Sequence, residues 1–312
     1  MHIIRRLLLL MAICMVHVPL FALDFQSRLF LEAAYVTGKS AYEIDFISGR
    51  SRLEWPIDLY LMGLEYTLDI GVLEVGVAYM QGPWTKSSGN LKDSDYIEEA
   101  FFLGRAMHPG VDIYSESEVD ASGELLGFNL KIFPFALGSV SLGVTGGYMQ
   151  QRFEFDGSDT IQVGYGPWQD QSCTITGHVI AYEVEYDSWY LGITSRYALH
   201  PRISLAGDIV YLAHVRVRDE DDHIRRSKRS DGRCTGDGLL IGLSSRIRIG
   251  NDWQAYLAFQ AMDILARGYQ TQTWYGDDPA SSYDDTGLSS PDVDMEIEQK
   301  TYQVGLGIGY CF

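Results

Sequence analysis

The sequence predicts an all-β fold, a transmembrane antiparallel up-and-down β-barrel of about ten strands with long extracellular loops. Three observations support this prediction. The N-terminus has the form of a secretory signal peptide. No later run of about 18 apolar residues could form a membrane-spanning helix. Segments in which apolar residues alternate with small or polar ones recur along the chain, as in barrel strands.

The N-terminal segment reads MHIIRRLLLLMAICMVHVPLFA. Arg5 and Arg6 form a positive region, residues 7–16 form an apolar stretch too short to span a bilayer, and the segment ends in a small residue suited to cleavage. It therefore predicts a signal peptide at residues 1–22. The remainder, residues 23–312, has no internal boundary and is predicted to form a single barrel domain.

Charge and cysteine content limit the partners and cofactors of the chain. It carries 42 Asp and Glu against 24 Lys and Arg, a net charge of −18. This charge argues against nucleic-acid binding and favours cationic partners. No CxxC or HExxH motif indicates a metal site. Export to an oxidising compartment would permit a disulfide between Cys173 and Cys234.

The C-terminal segment TYQVGLGIGYCF has the clearest strand pattern. From Tyr302 to Phe312, large residues alternate with small or polar ones, which predicts one face toward lipid and one toward a lumen. The last strand of a soluble sandwich could show the same alternation, but the signal peptide favours the membrane. The terminal aromatic resembles the signal read by barrel assembly machinery. We therefore predict the outer membrane of a Gram-negative-type (diderm) bacterium.

Turns alternate between short and long along the chain. Short segments rich in turn-forming residues are followed by long polar stretches, as on the two rims of an outer-membrane barrel. Four short turns between strand pairs, with the first and last strands added, predict about ten strands. The short turns are residues 68–71, 134–139, 199–202 and 250–252, and the polar stretches are 82–116, 156–177, 219–238 and 271–294.

Two short motifs place titratable side chains two residues apart, so that an extended chain would present both on one face. Asp93 and Asp95 could share a proton and polarise a water, because two neighbouring carboxylates do not both ionise easily. Asp221 could orient His223 and stabilise its protonated form, which would let the imidazole act as a base. Each motif alone is more often a solvent-exposed loop.

The alternation of the strand before His223 conflicts with this role. Leu205 and Tyr211 would face outward, and strict alternation would send Asp221 and His223 outward too. Inward-facing side chains therefore require a β-bulge or twist near residues 215–219.

Motifs that keep a fixed order from about residue 34 to the C-terminus resemble the omptin family of outer-membrane endopeptidases. KDSDY resembles the family's aspartate-pair motif, and DEDDH resembles the D-x-D-x-H segment with its aspartate–histidine pair. The other similar segments are VTGKS (36–40), SRLEWP (51–56), the His108-Pro109 step, GGYMQQRFEF (146–155) and YLGITSRY (190–197). Individually these matches are short, and together they are specific.

The resemblance implies a ten-stranded barrel with an active-site groove at its extracellular end. Asp93 and Asp95 would lie across this groove from Asp221 and His223. A water between them would attack the peptide bond, with His223 as base, Asp221 orienting it, and the aspartate pair positioning the water. The implied function is an aspartyl-type endopeptidase that cleaves cationic polypeptides at basic, especially dibasic, sites.

The resemblance also implies a pocket for a basic side chain. Asp219 matches one acid of this pocket, and a one-residue shift would supply Glu43 as the second. No metal or organic cofactor is implied.

A lipopolysaccharide or other glycolipid activator is implied on the outer wall of the barrel, where Tyr148 and Arg152 match the family's lipid-binding residues. Gln150 stands where a glutamate is usual, and Glu185 stands where an arginine is expected. The charge of this site is therefore altered.

Other functions stay open from the sequence. A barrel with acidic loops could be a structural protein, an adhesin or a small porin. A catalytically inactive omptin-like barrel could bind cationic peptides. All four catalytic positions hold the expected residue type, which favours the endopeptidase.

Overall fold

The computed structural model describes residues 26–46, 49–97, 110–279 and 281–312. The predicted signal peptide and the His108-Pro109 step lie outside these residues. Within them, no helix is both long enough and apolar enough to cross a membrane.

Ten antiparallel strands form a closed barrel in which each strand pairs with its neighbours in sequence and β1 pairs with β10. The predicted fold class and strand count are confirmed. The strands are β1 (Gln26–Phe46), β2 (Gly49–Ile70), β3 (Leu73–Ile97), β4 (Ile113–Leu137), β5 (Val140–Gly164), β6 (Cys173–His200), β7 (Ile203–His223), β8 (Lys228–Arg248), β9 (Trp253–Trp274) and β10 (Ser289–Cys311). Two short 3-10 helices, Gly166–Gln171 and Ile224–Arg226, follow β5 and β7.

The two rims of the barrel differ. Tight connections of two to four residues join strands at one rim, at the four predicted turns. At the opposite rim, called here the extended end, strands continue through much of the predicted loop sequence, so that β3 reaches Ile97 and β7 reaches His223. The predicted loops were therefore too long. Beyond the membrane both faces of a strand can be polar, so its composition resembles that of a loop.

Outward-facing apolar side chains form a belt around the tight-turn half of the barrel. On β7, Leu205 and Tyr211 are exposed within this belt, whereas the exposed residues nearer the extended end are Arg216 and Arg218. The strands have 21 to 28 residues, although about 9–11 suffice to cross a bilayer. The extended end therefore projects beyond the membrane. Other exposed residues of the belt include Tyr60, Phe128, Trp189, Leu239, Phe259 and Leu306.

Side chains fill the lumen at two levels. Toward the extended end, Trp55 stacks on Tyr182 and Phe155 with ring centroids 5.2 and 5.3 Å apart, and these buried rings form the centre of an aromatic plug. Nearer the tight turns, Glu74 accepts hydrogen bonds at 2.7–3.3 Å from three arginines, Arg28, Arg196 and Arg246. Such filling is expected of a narrow barrel.

A β-bulge in β7 changes which residues face the lumen. The pairing of β7 with β8 shifts register between Leu212 and Val215, and His214 adopts a left-handed backbone conformation with φ of 53°. Even-numbered positions such as Leu212 are buried before the shift, and odd-numbered positions such as Asp219 and Asp221 are buried after it. The predicted bulge is confirmed, a few residues earlier than expected.

Candidate active site

The extended end of β7 carries the predicted aspartate–histidine pair. His223 Nε2 lies 3.1 Å from Asp221 Oδ2, and the two side chains are 18% and 2% exposed. From β1, the buried Tyr42 hydroxyl donates a hydrogen bond to the same carboxylate oxygen. The other oxygen, Asp221 Oδ1, has no hydrogen-bond partner among the described residues. One carboxylate oxygen of Asp221 therefore has two partners, and the other has none among the described residues.

The end of β3 carries the predicted aspartate pair. Asp95 lies opposite Ser51 of β2, whose hydroxyl donates to Asp93 Oδ1 at 3.3 Å. Asp112 is 2% exposed and fixes this strand end. Its backbone N–H donates to the carbonyl of Asp95, and its carboxylate accepts from the backbone N–H of Ile97. The pair is thus held by polar contacts from two sides.

The aspartate pair favours a protonated state. Burial raises the pKa of Asp93 well above its usual value, and the charges of Asp95 and Asp221 raise it further. Burial raises the pKa of Asp95 as well, although the charge of nearby His223 opposes this effect. The pair therefore holds a proton where isolated carboxyl groups would be ionised. These interactions also show that the structure brings all four predicted catalytic residues together.

Opposite charges keep the Asp221 carboxylate ionised. Burial alone would raise its pKa, but the charge and hydrogen bond of His223, the charge of Lys228 and the hydrogen bond of Tyr42 lower it overall. Burial lowers the pKa of His223, against the raising effect of Asp221. The imidazole is therefore neutral near neutral pH, as a general base must be.

Lys228 is a buried cation inside this acid cluster. It is 6% exposed and lies directly opposite His223 in the β7–β8 ladder. Its charge acts on Asp93, Asp95 and Asp221, while burial lowers the pKa of its ammonium group. Lys228 therefore offsets part of the negative charge that the three carboxyl groups concentrate here.

Asp219 forms a second acidic position, two residues before Asp221 on the same face of β7. It is 7% exposed, and its Oδ1 has no hydrogen-bond partner among the described residues. Burial and the charge of Asp221 raise its pKa to about 8. Gly232, opposite Asp219 on β8, provides the necessary room, because a Cβ there would lie 2.0 Å from Asp219 Oδ1.

Glu43, predicted as the partner of Asp219, does not lie in this pocket. Its carboxylate oxygens lie 3.6 Å from a guanidinium nitrogen of Arg50 and 3.7 Å from one of Arg52, away from the lumen. Because side chains alternate along a strand, Tyr42 takes the inward position instead. The one-residue shift that would have brought Glu43 inward is absent, which corrects that prediction.

The predicted lipid-binding residues lie together on the outer wall of β5. Tyr148 packs against Trp189 of β6 with ring centroids 5.2 Å apart. Arg152 Nη2 lies 2.8 Å from a carboxylate oxygen of Glu154 and 2.8 Å from one of Glu183. The guanidinium is therefore already neutralised by the protein's own acids.

The described cysteines are all free. Cys173 is exposed at the start of β6, whereas Cys234 is 2% exposed within β8. The Cys173–Cys234 disulfide that the sequence would permit is therefore not formed, because Cys234 faces the packed lumen instead of lying in a loop. Within the part of the chain that the structure describes, no group of three or more His, Cys, Asp or Glu could hold a metal ion.

Sequence reasoning missed four residues of the site: Tyr42, Ser51, Lys228 and Gly232. Lys228 stands in a basic run that gives no sign of burial; only the tight hairpin after His223 turns it inward. Tyr42 meets Asp221 across the barrel, 179 positions away in sequence. Local patterns do not report such a contact.

Barrel and site together define the class of protein: a membrane β-barrel whose projecting end gathers four acids and a histidine. A sequence model of the omptin family matches residues 49–258, more than half of the 312 residues. The chain therefore belongs to the omptin family, a family of outer-membrane proteases, and its place is the outer membrane.

One solved structure supports the fold. The outer membrane protease OmpT from Escherichia coli superposes with a TM-score of 0.77 at 16% identity, over 94% of this chain and 99% of that chain. The translocator domain of the autotransporter NalP from Neisseria meningitidis gives a TM-score of only 0.38 at 9% identity, over 99% and 95% of the two chains. No sequence match to a curated protein was found.

Proposed function

We propose that this protein is an endopeptidase that cleaves cationic polypeptides next to basic residues, with a water as nucleophile. The observation that carries the proposal is the hydrogen-bonded pair of His223 and ionised Asp221, which lies beside the proton-sharing pair of Asp93 and Asp95. Such a separation of protonation states in one cluster is how a site supplies a base and an acid at the same pH.

The proposed reaction begins with neutral His223, which takes a proton as the water oxygen attacks the carbonyl carbon. Asp221 stabilises the resulting imidazolium. The proton shared by Asp93 and Asp95 is available to hydrogen-bond the oxygen that becomes negative, and buried Lys228 offsets its charge. Collapse of the intermediate breaks the C–N bond, and the proton on His223 passes to the leaving amine.

The pocket at Asp219 supports a preference for a basic side chain. Its carboxylate oxygen Oδ1 is buried and has no partner in the described protein, so a substrate guanidinium or ammonium would satisfy it. The net charge of −18 also attracts cationic polypeptides. Because Glu43 lies outside this pocket, Asp219 alone would provide the preference for a basic side chain.

The proposed orientation places the extended end outside the cell. The polar strand extensions lie there, and the tight turns lie at the other rim, as in outer-membrane barrels generally. The partners that follow are outer-membrane lipid, including a lipopolysaccharide or other glycolipid as activator, and barrel assembly machinery that reads the strand ending at Phe312. Residues 1–22 would direct export as a cleaved signal peptide.

The function is tested with the purified, refolded barrel and a fluorescence-quenched peptide that contains one Arg-Arg bond. We expect cleavage at that bond, and a loss of about 100-fold or more in kcat for Asp93→Asn and Asp95→Asn, because the shared proton contributes to acid–base catalysis. Asp231→Asn is the control, since this acid is exposed on the outer face of β8. Equal activity of all the variants would contradict the proposed role of the pair.

Two alternatives give different results in the same preparation. A catalytically inactive barrel acting as an adhesin or peptide-binding protein would retain the peptide without cutting it. A porin would conduct ions, but the stacked rings of Trp55, Tyr182 and Phe155 fill the lumen and argue against a pore. The unpartnered carboxylate oxygen of Asp219 and the filled lumen together favour the endopeptidase.

A further inference from the structure

We propose that Arg226 is a positioning residue of the peptidase reaction: anchored by Asp278, it holds the base His223 in place. Arg226 also adds a positive charge near this base. The inference rests on the proposed function. It concerns two short segments of the extended end: residues 224–227, called here the hairpin, and residues 275–279, called here the strap, which follow β9 directly.

The hairpin connects two residues of the candidate site. Only four residues separate His223 from Lys228 in the chain. The 3-10 turn Ile224–Arg226 begins directly after His223. Ser227, directly before Lys228, has a left-handed backbone with φ of 47°, and its N–H donates to the carbonyl of Ile224 at 3.3 Å. Because the hairpin is so short, a displacement of its backbone moves both His223 and Lys228.

The strap holds the hairpin through side-chain and backbone contacts. Arg226 Nε lies 2.9 Å from Asp278 Oδ2, and the Asp278 side chain is only 3% exposed. The backbone N–H of Tyr275 donates to the carbonyl of Ser227 at 2.8 Å. Gly276 allows this close approach, because a Cβ there would lie 3.0 Å from Ser227 Cβ. The hairpin is therefore fixed to the segment that follows β9.

The opposite side of the hairpin is held by β6. Arg225 Nη2 donates to the backbone carbonyl of Thr176 at 2.6 Å, in an exposed position. The contact between Arg226 and Asp278 differs, because its carboxylate is buried. Removing the cation from a buried carboxylate leaves an uncompensated charge and is strongly destabilising. Loss of Arg226 should therefore displace the hairpin more than loss of Arg225.

The charge of Arg226 acts on the catalytic groups around it. Burial lowers the pKa of His223, and the charge of Asp221 on the same strand opposes this effect. The charges of Lys228 on β8 and of Arg226 lower the pKa of His223 further. On β3, burial raises the pKa of Asp95, whereas the charge of Arg226 lowers it. Arg226 therefore favours the neutral imidazole that a general base requires.

The first test needs no substrate. The imidazole of His223 is titrated by NMR in the full barrel, refolded in detergent with labelled histidine, and His223→Ala identifies its signal. For Arg226→Gln we expect the pKa of His223 to rise, because a cation that disfavours the imidazolium is lost. Arg226→Lys keeps the charge and should stay closer to the unmodified protein. Arg229→Gln is the matched control, since Arg229 pairs with Glu220 where the two side chains are 47% and 45% exposed.

The second test is cleavage of the quenched Arg-Arg peptide. Asp278→Ala removes the anchor but keeps the charge of Arg226, so we expect kcat to fall about tenfold or more while KM changes little. Arg226→Gln loses both the anchor and the charge. On acidification it should also lose activity at a higher pH than the unmodified protein, because His223 is neutral only above its pKa. Arg229→Gln should stay within about twofold. Heat-modifiable gel migration confirms that each variant is folded.

The two tests separate this inference from the proposed function. If the unmodified barrel cleaves no peptide, the proposed function fails, and the titration still decides whether Arg226 acts on His223. A pKa of His223 that is equal in Arg226→Gln and in Arg229→Gln would overturn the inference. So would an equal kcat in Asp278→Ala and in Arg229→Gln.

Discussion

Tyr42→Phe removes a single hydroxyl from the centre of the candidate active site. That hydroxyl donates to the carboxylate oxygen of Asp221 that also contacts His223. A hydrogen bond to a charged group contributes about 1.5–3 kcal/mol, and one pKa unit corresponds to about 1.4 kcal/mol. Loss of the bond should therefore raise the pKa of Asp221. In the unmodified protein this pKa is lowered below its usual value, so the variant moves the protonation of Asp221 to a higher pH.

The assay is kcat/KM against pH with a quenched Arg-Arg peptide. For Tyr42→Phe we expect kcat to fall about tenfold or more and KM to change little. When the solution is acidified, the variant should lose activity at a higher pH than the unmodified protein, because Asp221 must stay ionised to hold His223. Tyr186→Phe is the matched control: it is also a fully buried lumen tyrosine, and its hydroxyl hydrogen-bonds Ser40 and not a catalytic residue. Equal profiles for the two variants would refute the role of the Tyr42 bond.

Three further predictions follow from the pocket, the cysteines and the lumen. Because the pKa of Asp219 is raised to about 8, the preference for arginine over citrulline at the cleaved bond should increase as pH rises through about 8. Asp219→Asn should remove this pH dependence. A preference that does not change with pH would contradict the assignment of Asp219 to the pocket. A membrane-impermeant maleimide should label Cys173 on intact cells, while Cys234 and Cys311 react only after unfolding; an unlabelled Cys173 would contradict the proposed orientation. In planar bilayers the barrel should show no steady ion conductance, and open channels of the folded protein would contradict the aromatic plug.

The fold was predictable because its signals are local. Period-two alternation in the strand from Tyr302 to Phe312 and four tight turns determine the strand count without knowledge of any contact. Polar residues in the strand extensions misled the prediction, because composition alone does not distinguish a loop from a strand that is solvated on its outer face. The hydrogen bonds to neighbouring strands show that these segments are strands.

The candidate site was predictable only in part. Asp93, Asp95, Asp221 and His223 stand in short motifs, and the conflict between the alternation of β7 and an inward His223 predicted a bulge before its position was known. The contact between Tyr42 and Asp221 depends on how far apart two strands lie across a closed barrel, which is a property of the whole molecule.

The Glu43 error has the same origin. A shift of one residue along a strand moves each side chain to the opposite face of the sheet. The pairing of β1 with β2 is therefore needed to decide whether Tyr42 or Glu43 points inward.

The central claim is that the buried aspartate–histidine pair activates water, and a second pair in the same chain supplies the control. His178 Nε2 lies 3.1 Å from Asp156 Oδ1, the same separation as in the Asp221–His223 pair, but His178 and Asp156 are 48% and 45% exposed. Cleavage of the Arg-Arg peptide is measured for His223→Ala and His178→Ala, with folding confirmed for both. We predict that His223→Ala loses at least about 1,000-fold in kcat while His178→Ala stays within about twofold of the unmodified protein. Cleavage that persists in His223→Ala, or that is lost equally in both variants, would contradict the account.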